Sequence, residues 1–204
     1  MSLESYRRSV SDSKHASILT VALKRFLIDG FSKAAMADIA READVSTATL
    51  YKHFESKEVL FRAVVTNAAA AINDDFGKLP AETTATEFFH KILQDGHATQ
   101  TKNRVNDLLR IMIAEAGSSP ALACNAFEII VGGRYRRIQA VLDEMVSRGL
   151  LKPHDTALGA RLALGMIKEL FVWPTLFDPA TTLPPKAVEQ AQEVIDTYLA
   201  RYGA

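Results

Sequence analysis

Along this chain apolar residues return every three or four positions, and no segment keeps up the strict alternation of a strand. From about Lys14, Ile18, Ala22 and Phe26 recur at four-residue steps with Leu19, Leu23 and Leu27 beside them. That spacing predicts one amphipathic helix, closed by Gly30. Residues 1–13 are polar and read as a mobile N-terminal arm. A second, short helix is expected over Ala35 to Ala43, with Met36, Ile39 and Ala40 inward. Asp44 falls where a turn between two helices wants a positive φ, which Asp tolerates better than most residues. Ser46 is placed to cap a third helix running to about Phe54, and Ser56 to cap a fourth running to near Phe76. Gly77 and Pro80 then break the pattern. Further helices are expected at about 83–99, 104–116, 120–148, 154–172 and 185–202. They are punctuated by Gly117-Ser118-Ser119-Pro120, Gly149, Trp173-Pro174 and Leu183-Pro184-Pro185. The chain therefore reads as all-α, with about nine helices: a head over 14–60 and a larger bundle over 61–204.

The head carries the most specific chemistry. In IAREADVSTATLYKHFESKEVL, from Ile39 to Leu60, a short helix meets a tight turn and a second helix follows. Ile18, Ala22, Phe26, Ile39, Ala40, Val45, Leu50 and Phe54 would share one small core. The other face of the third helix then presents Thr47, Ala48, Thr49, Tyr51, Lys52 and His53. Hydroxyls and a cationic Lys suit phosphate, while small residues at a helix start let the backbone approach base edges. Lys57, opening the fourth helix, would meet phosphate beside the exposed N–H groups of that turn. These features imply a helix-turn-helix reader of double-stranded DNA.

Bulk charge adds little, because 24 basic residues balance 24 acidic ones. Residues 1–62 hold ten Lys or Arg against eight Asp or Glu, so the case rests on placement. The lone Cys124 makes no internal disulfide and reads as a small buried apolar group. No run approaches the roughly 20 apolar residues of a membrane span, and the N-terminus has no apolar core of a secretory signal. A cytoplasmic location with no membrane partner is expected. No catalytic or metal-ligating spacing stands out: His90 and His97 lie too far apart for one ion, and His15 and His154 read as surface. No cofactor and no enzymatic activity are expected.

The segment from Ile18 to Val64 resembles the N-terminal domain of TetR-family transcriptional regulators. The resemblance rests on Gly30-Phe31, Ile39-Ala40, Val45-Ser46, Leu50-Tyr51, His53-Phe54 and Ser56-Lys57-Glu58. It implies that Thr49, Tyr51, His53 and Lys57 contact phosphate, and that Thr47, Ala48 and Lys52 face bases. Two departures stand out. Positions 34 and 35, where the family usually has a capping Thr or Ser, are both Ala, so Ser32 or Lys33 would have to substitute. The turn glycine is Asp44.

The stretch LLRIMIAEAGSSPALACNAFE resembles the C-terminal domain of a TetR subgroup with an LR-x-x-IAEA pattern and names no ligand. By that analogy the bundle binds an unidentified small-molecule effector. Its candidate pocket residues are Phe88, Phe89, Ile92, Leu109, Met112, Phe127, Ile130, Met166, Leu170 and Trp173. Gly132-Gly133 weakens a long helix by roughly 2 kcal/mol and predicts a kink or a close crossing. In ALGARLALGMIKELF, the small residues Gly159, Ala160, Ala163 and Gly165 admit a second helix closely. The last helix repeats apolar residues at three- and four-residue steps. The candidate interface of a homodimer is Ala160, Ala163, Leu164, Ile167, Val188, Ala191, Ile195 and Tyr198. The expected function is a homodimeric repressor released from a palindromic operator by a small apolar or amphipathic ligand. The alternative is a DNA-bound interaction protein without a ligand cavity, controlled by a protein partner.

Overall fold

The structure is a computed structural model that describes residues 3–71, 80–102, 105–178 and 186–204. Among them the elements are α1 (Leu3–Lys33), α2 (Met36–Glu42), α3 (Thr47–His53), α4 (Lys57–Ala71), α5 (Ala85–Lys102) and α6 (Val105–Glu115). Then follow α7 (Pro120–Phe127), a π-helical turn (Glu128–Gly132), α8 (Gly133–Ser147), α9 (Thr156–Phe171), α10 (Trp173–Phe177) and α11 (Ala187–Tyr202). The only β pairing among the described residues is an isolated bridge between Leu151 and Gly203. The all-α expectation holds.

Several boundaries differ from the sequence pattern. Helix α1 begins at Leu3, well before Lys14, because nothing in the polar lead-in is a Gly or Pro that would stop it. The single helix expected over 120–148 is interrupted at the Glu128–Gly132 π turn. There Gly132 and Gly133 remove the propensity that would hold a regular ladder. Trp173-Pro174 likewise restarts the chain as α10. The expected end of the fourth helix near Phe76, the break at Gly77 and the prolines 184 and 185 lie outside the described residues.

Two compact units are formed. The first comprises Met1–Ala70 and Asp107–Ile129, the second Ala71–Asn106 and Ile130–Ala204. The head thus includes, beyond residues 14–60, the first part of α1, nearly all the rest of α4, most of α6 and all of α7. Its core holds Ile18, Ala22, Phe26, Ile39, Ala40, Leu50 and Phe54, all buried; Val45 is half-buried. Phe26, Phe31 and Phe61 interlock, with ring centroids 5.2–5.7 Å apart. Such tilted and edge-on contacts add to what area burial alone provides.

The second unit packs α9 against α8, α11, α5 and α10. Its core includes Phe88, Ile92, Ile138, Leu142, Met145, Leu164, Phe171 and Ile195. Asp155 caps α9 by accepting from the Leu158 N–H at 3.0 Å. The Tyr198 hydroxyl on α11 lies 3.0 Å from His154 Nε2, and a Cβ at Gly159 would come within 2.5 Å of that hydroxyl. Gly159 therefore admits α11 of its own chain. His154, expected at the surface, is half-buried in this contact and stacks on Tyr202 at 4.2 Å.

Gly30 decides the path of the head. It sits at φ 77° and ψ 166°, where an L side chain is strained, and the bend it makes drops Phe31 into the aromatic core. Gly30→Ala is expected to lower the unfolding free energy by about 1–3 kcal/mol. Chemical denaturation of both proteins, with unchanged m-values, checks this; equal midpoints would refute it.

Candidate nucleic-acid interface

Helices α2 and α3 contain seven residues each, too few to be stable alone. The turn between them is closed by two bonds. The Val45 N–H donates to the Ala40 carbonyl at 3.0 Å and the Asp44 N–H to the Arg41 carbonyl at 3.3 Å. This is a Schellman motif with Asp44 at φ 54°, as its place in the sequence predicts. Ser46 then starts α3: its hydroxyl accepts from the Thr49 N–H at 3.1 Å. Leu50 and Phe54 are buried and pin the inner face.

With that face pinned, Thr47, Ala48, Tyr51 and Lys52 are exposed together, as positions one, two, five and six of a helix face must be. Tyr51 leaves 48% of its surface open, a large apolar ring held at the surface. The face carries Lys52 and no acidic side chain. Three acids of the head are paired with basic neighbours: Asp29 with Arg25 at 2.7 Å, Asp38 with Arg41 at 2.6 Å, and Glu42 with Lys24.

The remaining three candidates are only partly available. The Thr49 hydroxyl lies 2.8 Å from Ser46 Oγ. His53 is half-buried, its ring 6.0 Å from that of His15. Lys57 Nζ donates to the carbonyls of Ser32 at 2.9 Å and Ala34 at 3.2 Å, over the Phe31 ring. Lys57 thus holds the α1–α2 junction.

The loss of a cap at position 35 is real: Ala35 has the extended N-cap backbone, φ −98° and ψ 133°, with no side-chain hydrogen bond. Ser32 does not substitute. Its hydroxyl donates to Glu115 Oε2 at 2.7 Å and its N–H to Glu115 Oε1 at 3.1 Å. Sequence reasoning missed Glu115, since nothing local signals a carboxylate that acts on a partner 83 positions away. It also missed His15, which is half-buried with its ring 4.9 Å from Phe54.

The candidate effector residues fall in both units. Phe88, Phe89 and Ile92 are core of the second unit, where Met166 and Leu170 pack against it. Ile130 is buried in the same unit. Leu109, Met112 and Phe127 belong to the first unit, Phe127 being exposed. Trp173 is exposed and stacks on Phe177 at 6.3 Å. A cleft of about 270 Å³ opens elsewhere, in the first unit, between α4 and α7; it is lined by Val59, Phe61, Arg62, Leu122, Asn125 and Ile129 among others.

Of the candidate interface residues, Ala160, Ala163, Leu164, Ile167, Ala191, Ile195 and Tyr198 are buried within their own chain. Of the small residues, Gly159, Ala160 and Ala163 are buried inside the second unit, whereas Gly165 is exposed with open space around it. The Val188 side chain lies outside the described residues. Cys124 is exposed rather than buried. Among the described residues no three His, Cys, Asp or Glu gather as for a metal ion, and no helix is long and apolar enough to cross a membrane.

Two outcomes are expected of this geometry. Ala35→Ser supplies the missing cap and should stabilise the protein by about 0.5–2 kcal/mol, read as a higher melting temperature; an unchanged or lower value would show that α2 does not need the cap. His53 has its pKa lowered below 6.5, first by partial burial and then by His15, Lys52 and Lys14. The native site stays neutral while the unfolded chain takes a proton. Its stability contribution is therefore full above pH 6.5 and is lost as pH falls below that value. His53→Gln should flatten the fall in melting temperature on the acid side, and an identical pH profile would exclude the assignment.

Known regulators resemble both parts of this chain. The family model described as "Bacterial regulatory proteins, tetR family" matches residues 18–64, and that described as "AefR-like transcriptional repressor, C-terminal domain" matches residues 83–204. A DNA-binding transcriptional repressor TetR of Mycobacteroides abscessus is 27% identical over 170 residues, spanning 76% of this chain and 84% of the relative. The solved flavonoid-responsive regulator FrrA is 28% identical, with a TM-score of 0.77 over 93% of this chain and 97% of that one. A TetR family transcriptional regulator from Pseudomonas syringae pv. tomato str. DC3000 is 25% identical, with a TM-score of 0.76 over 94% and 98%. Both halves of the chain match, in order, the two parts of such proteins, and the chain belongs to the TetR family of bacterial transcriptional regulators.

Proposed function

We propose that this regulator is a cytoplasmic homodimeric repressor that reads a palindromic operator through α3 and leaves it when a small apolar or amphipathic effector binds. The observation that carries the reading is the shared exposure of Thr47, Ala48, Tyr51 and Lys52 on a helix fixed at both ends. Thr47, Ala48 and Lys52 meet base edges; Tyr51, with Thr49 and His53 behind it, meets phosphate. A two-fold dimer sets two such helices about 34 Å apart, one turn of DNA.

Since the inner stripe of α9 is consumed by its own unit, dimerisation uses the opposite side. Leu158 and Leu162 are large exposed apolar residues there, and Gly165 continues the four- and three-residue spacing. Release by an effector is supported by the AefR-like repressor match and by the flavonoid-responsive relative. It acts by population shift: a ligand preferring a DNA-incompetent arrangement lowers operator affinity by its differential binding. A second reading, control by a protein partner, is favoured by the stacked Trp173 and Phe177, the latter 79% exposed.

The test is duplex selection from random sequence, followed by binding at two salt concentrations. Saturable, salt-sensitive binding is expected, with Tyr51→Ala weakening it and Lys52→Ala relaxing sequence preference at a cost of about 1–3 kcal/mol. Salt-independent binding, or variants equal to wild type, would sink the α3 reading. Titrating small apolar and amphipathic compounds into the complex then separates the two modes of control. Release by a compound supports the effector, and release only by a protein supports the second reading.

A further inference from the structure

We propose that Glu115 is a positioning residue for DNA reading: from the end of α6 it fixes the α1–α2 junction, and so the angle at which α2 and α3 are presented. The inference rests on the reading of α3 as the recognition helix. All the groups involved lie in the first unit.

The junction has little support of its own. Gly30 makes a positive-φ bend before it, and Ala35 starts α2 without a side-chain cap. Beyond it, the Schellman turn and the Ser46 cap tie α2 to α3, so a change at the junction turns the two as a pair. Two charged groups from distant sequence hold this point. Glu115 accepts from the Ser32 N–H at 3.1 Å and the Ser32 hydroxyl at 2.7 Å, and also from the Ser118 hydroxyl at 2.7 Å. Lys57 donates to the carbonyls of Ser32 and Ala34. The N–H, O–H and C=O of Ser32 are thus each engaged by an ionised side chain.

Burial makes this arrangement informative. Glu115 is 7% exposed, the one buried charged residue among those described. An apolar pair of similar volume would fill such a site with no desolvation cost. A carboxylate instead imposes direction, because its two oxygens accept only along set lines. The Ser32 hydroxyl, aided by Ser118 and the Lys57 charge, holds the carboxyl below its usual pKa despite burial.

The experiment compares wild type with Glu115→Ala, Glu115→Gln, Ser32→Ala and the Ser32→Ala/Glu115→Ala pair, each at a temperature where circular dichroism shows it folded. Two properties are read: affinity for the operator selected by the wild type, at two salt concentrations, and amide hydrogen exchange. Glu115→Ala is expected to lower affinity about tenfold with an unchanged salt slope, because no phosphate contact is lost. Ser32→Ala should add nothing to it, and Glu115→Gln, which keeps an acceptor for the Ser32 N–H, should fall between. Amides of Met36–His53 should exchange about tenfold faster while those of α9 do not change. A merely structural role predicts lower melting temperature with full affinity and protection loss shared by α9; either result overturns the proposal. Should Glu115→Ala not fold, Glu115→Gln and Ser32→Ala decide by the same criteria. If wild type binds no duplex, the proposed function fails, and the exchange data alone decide whether Glu115 orders α2 and α3.

Discussion

A helix of seven residues is about half the length at which isolated helices become even marginal in water (~12–15 residues), so α3 exists only because its surroundings hold it. The Asp44 turn and the Ser46 cap satisfy the backbone at its start, and Leu50 and Phe54 anchor its inner face. Everything the head presents follows from that constraint. Once Leu50 and Phe54 point inward, the 3.6-residue period leaves Thr47, Ala48, Tyr51 and Lys52 outward together.

The same constraint explains how a chain of zero net charge offers a face to a polyanion. Charge is arranged rather than accumulated. Asp29, Asp38 and Glu42 are paired with neighbouring basic residues, and α3 itself carries no acid. Lys57 and Glu115 act inside the first unit, where they hold the junction between α1 and α2 from opposite signs of charge. A charge turned inward in this way is engaged in backbone and hydroxyl hydrogen bonds of the head.

In the second unit the governing physics is close packing. Gly159 is small because Tyr198 of α11 approaches there, and Ala160 and Ala163 beside it are buried. A stripe of small residues reports only that some helix comes near, and its spacing is the same whether that helix belongs to the same chain or to another. Burial separates the two cases: Leu158 and Leu162 stay open while the stripe is consumed. Several of the residues collected as pocket candidates, such as Phe88, Phe89 and Ile92, pack into the core of the second unit. Their helical spacing marks a buried face, and a buried face is far more often core than cavity wall.

Local chemistry was legible in the sequence by itself. The helical class, the turn at Asp44, the caps at Ser46 and Ser56, the bend at Gly30 and the composition of the α3 face all depend on residues within a few positions of one another. Tertiary structure alone decided the rest. Glu115 meets Ser32, His15 meets Phe54, and Lys57 turns to the Ala34 carbonyl only because the fold brings separate helices together. Which apolar stripe is core, and which stays exposed, was likewise decided by packing. The physical reason is that backbone caps and periodicity are short-range, whereas a carboxylate's partner or a methyl group's burial depends on contacts whose sequence separation no local pattern encodes.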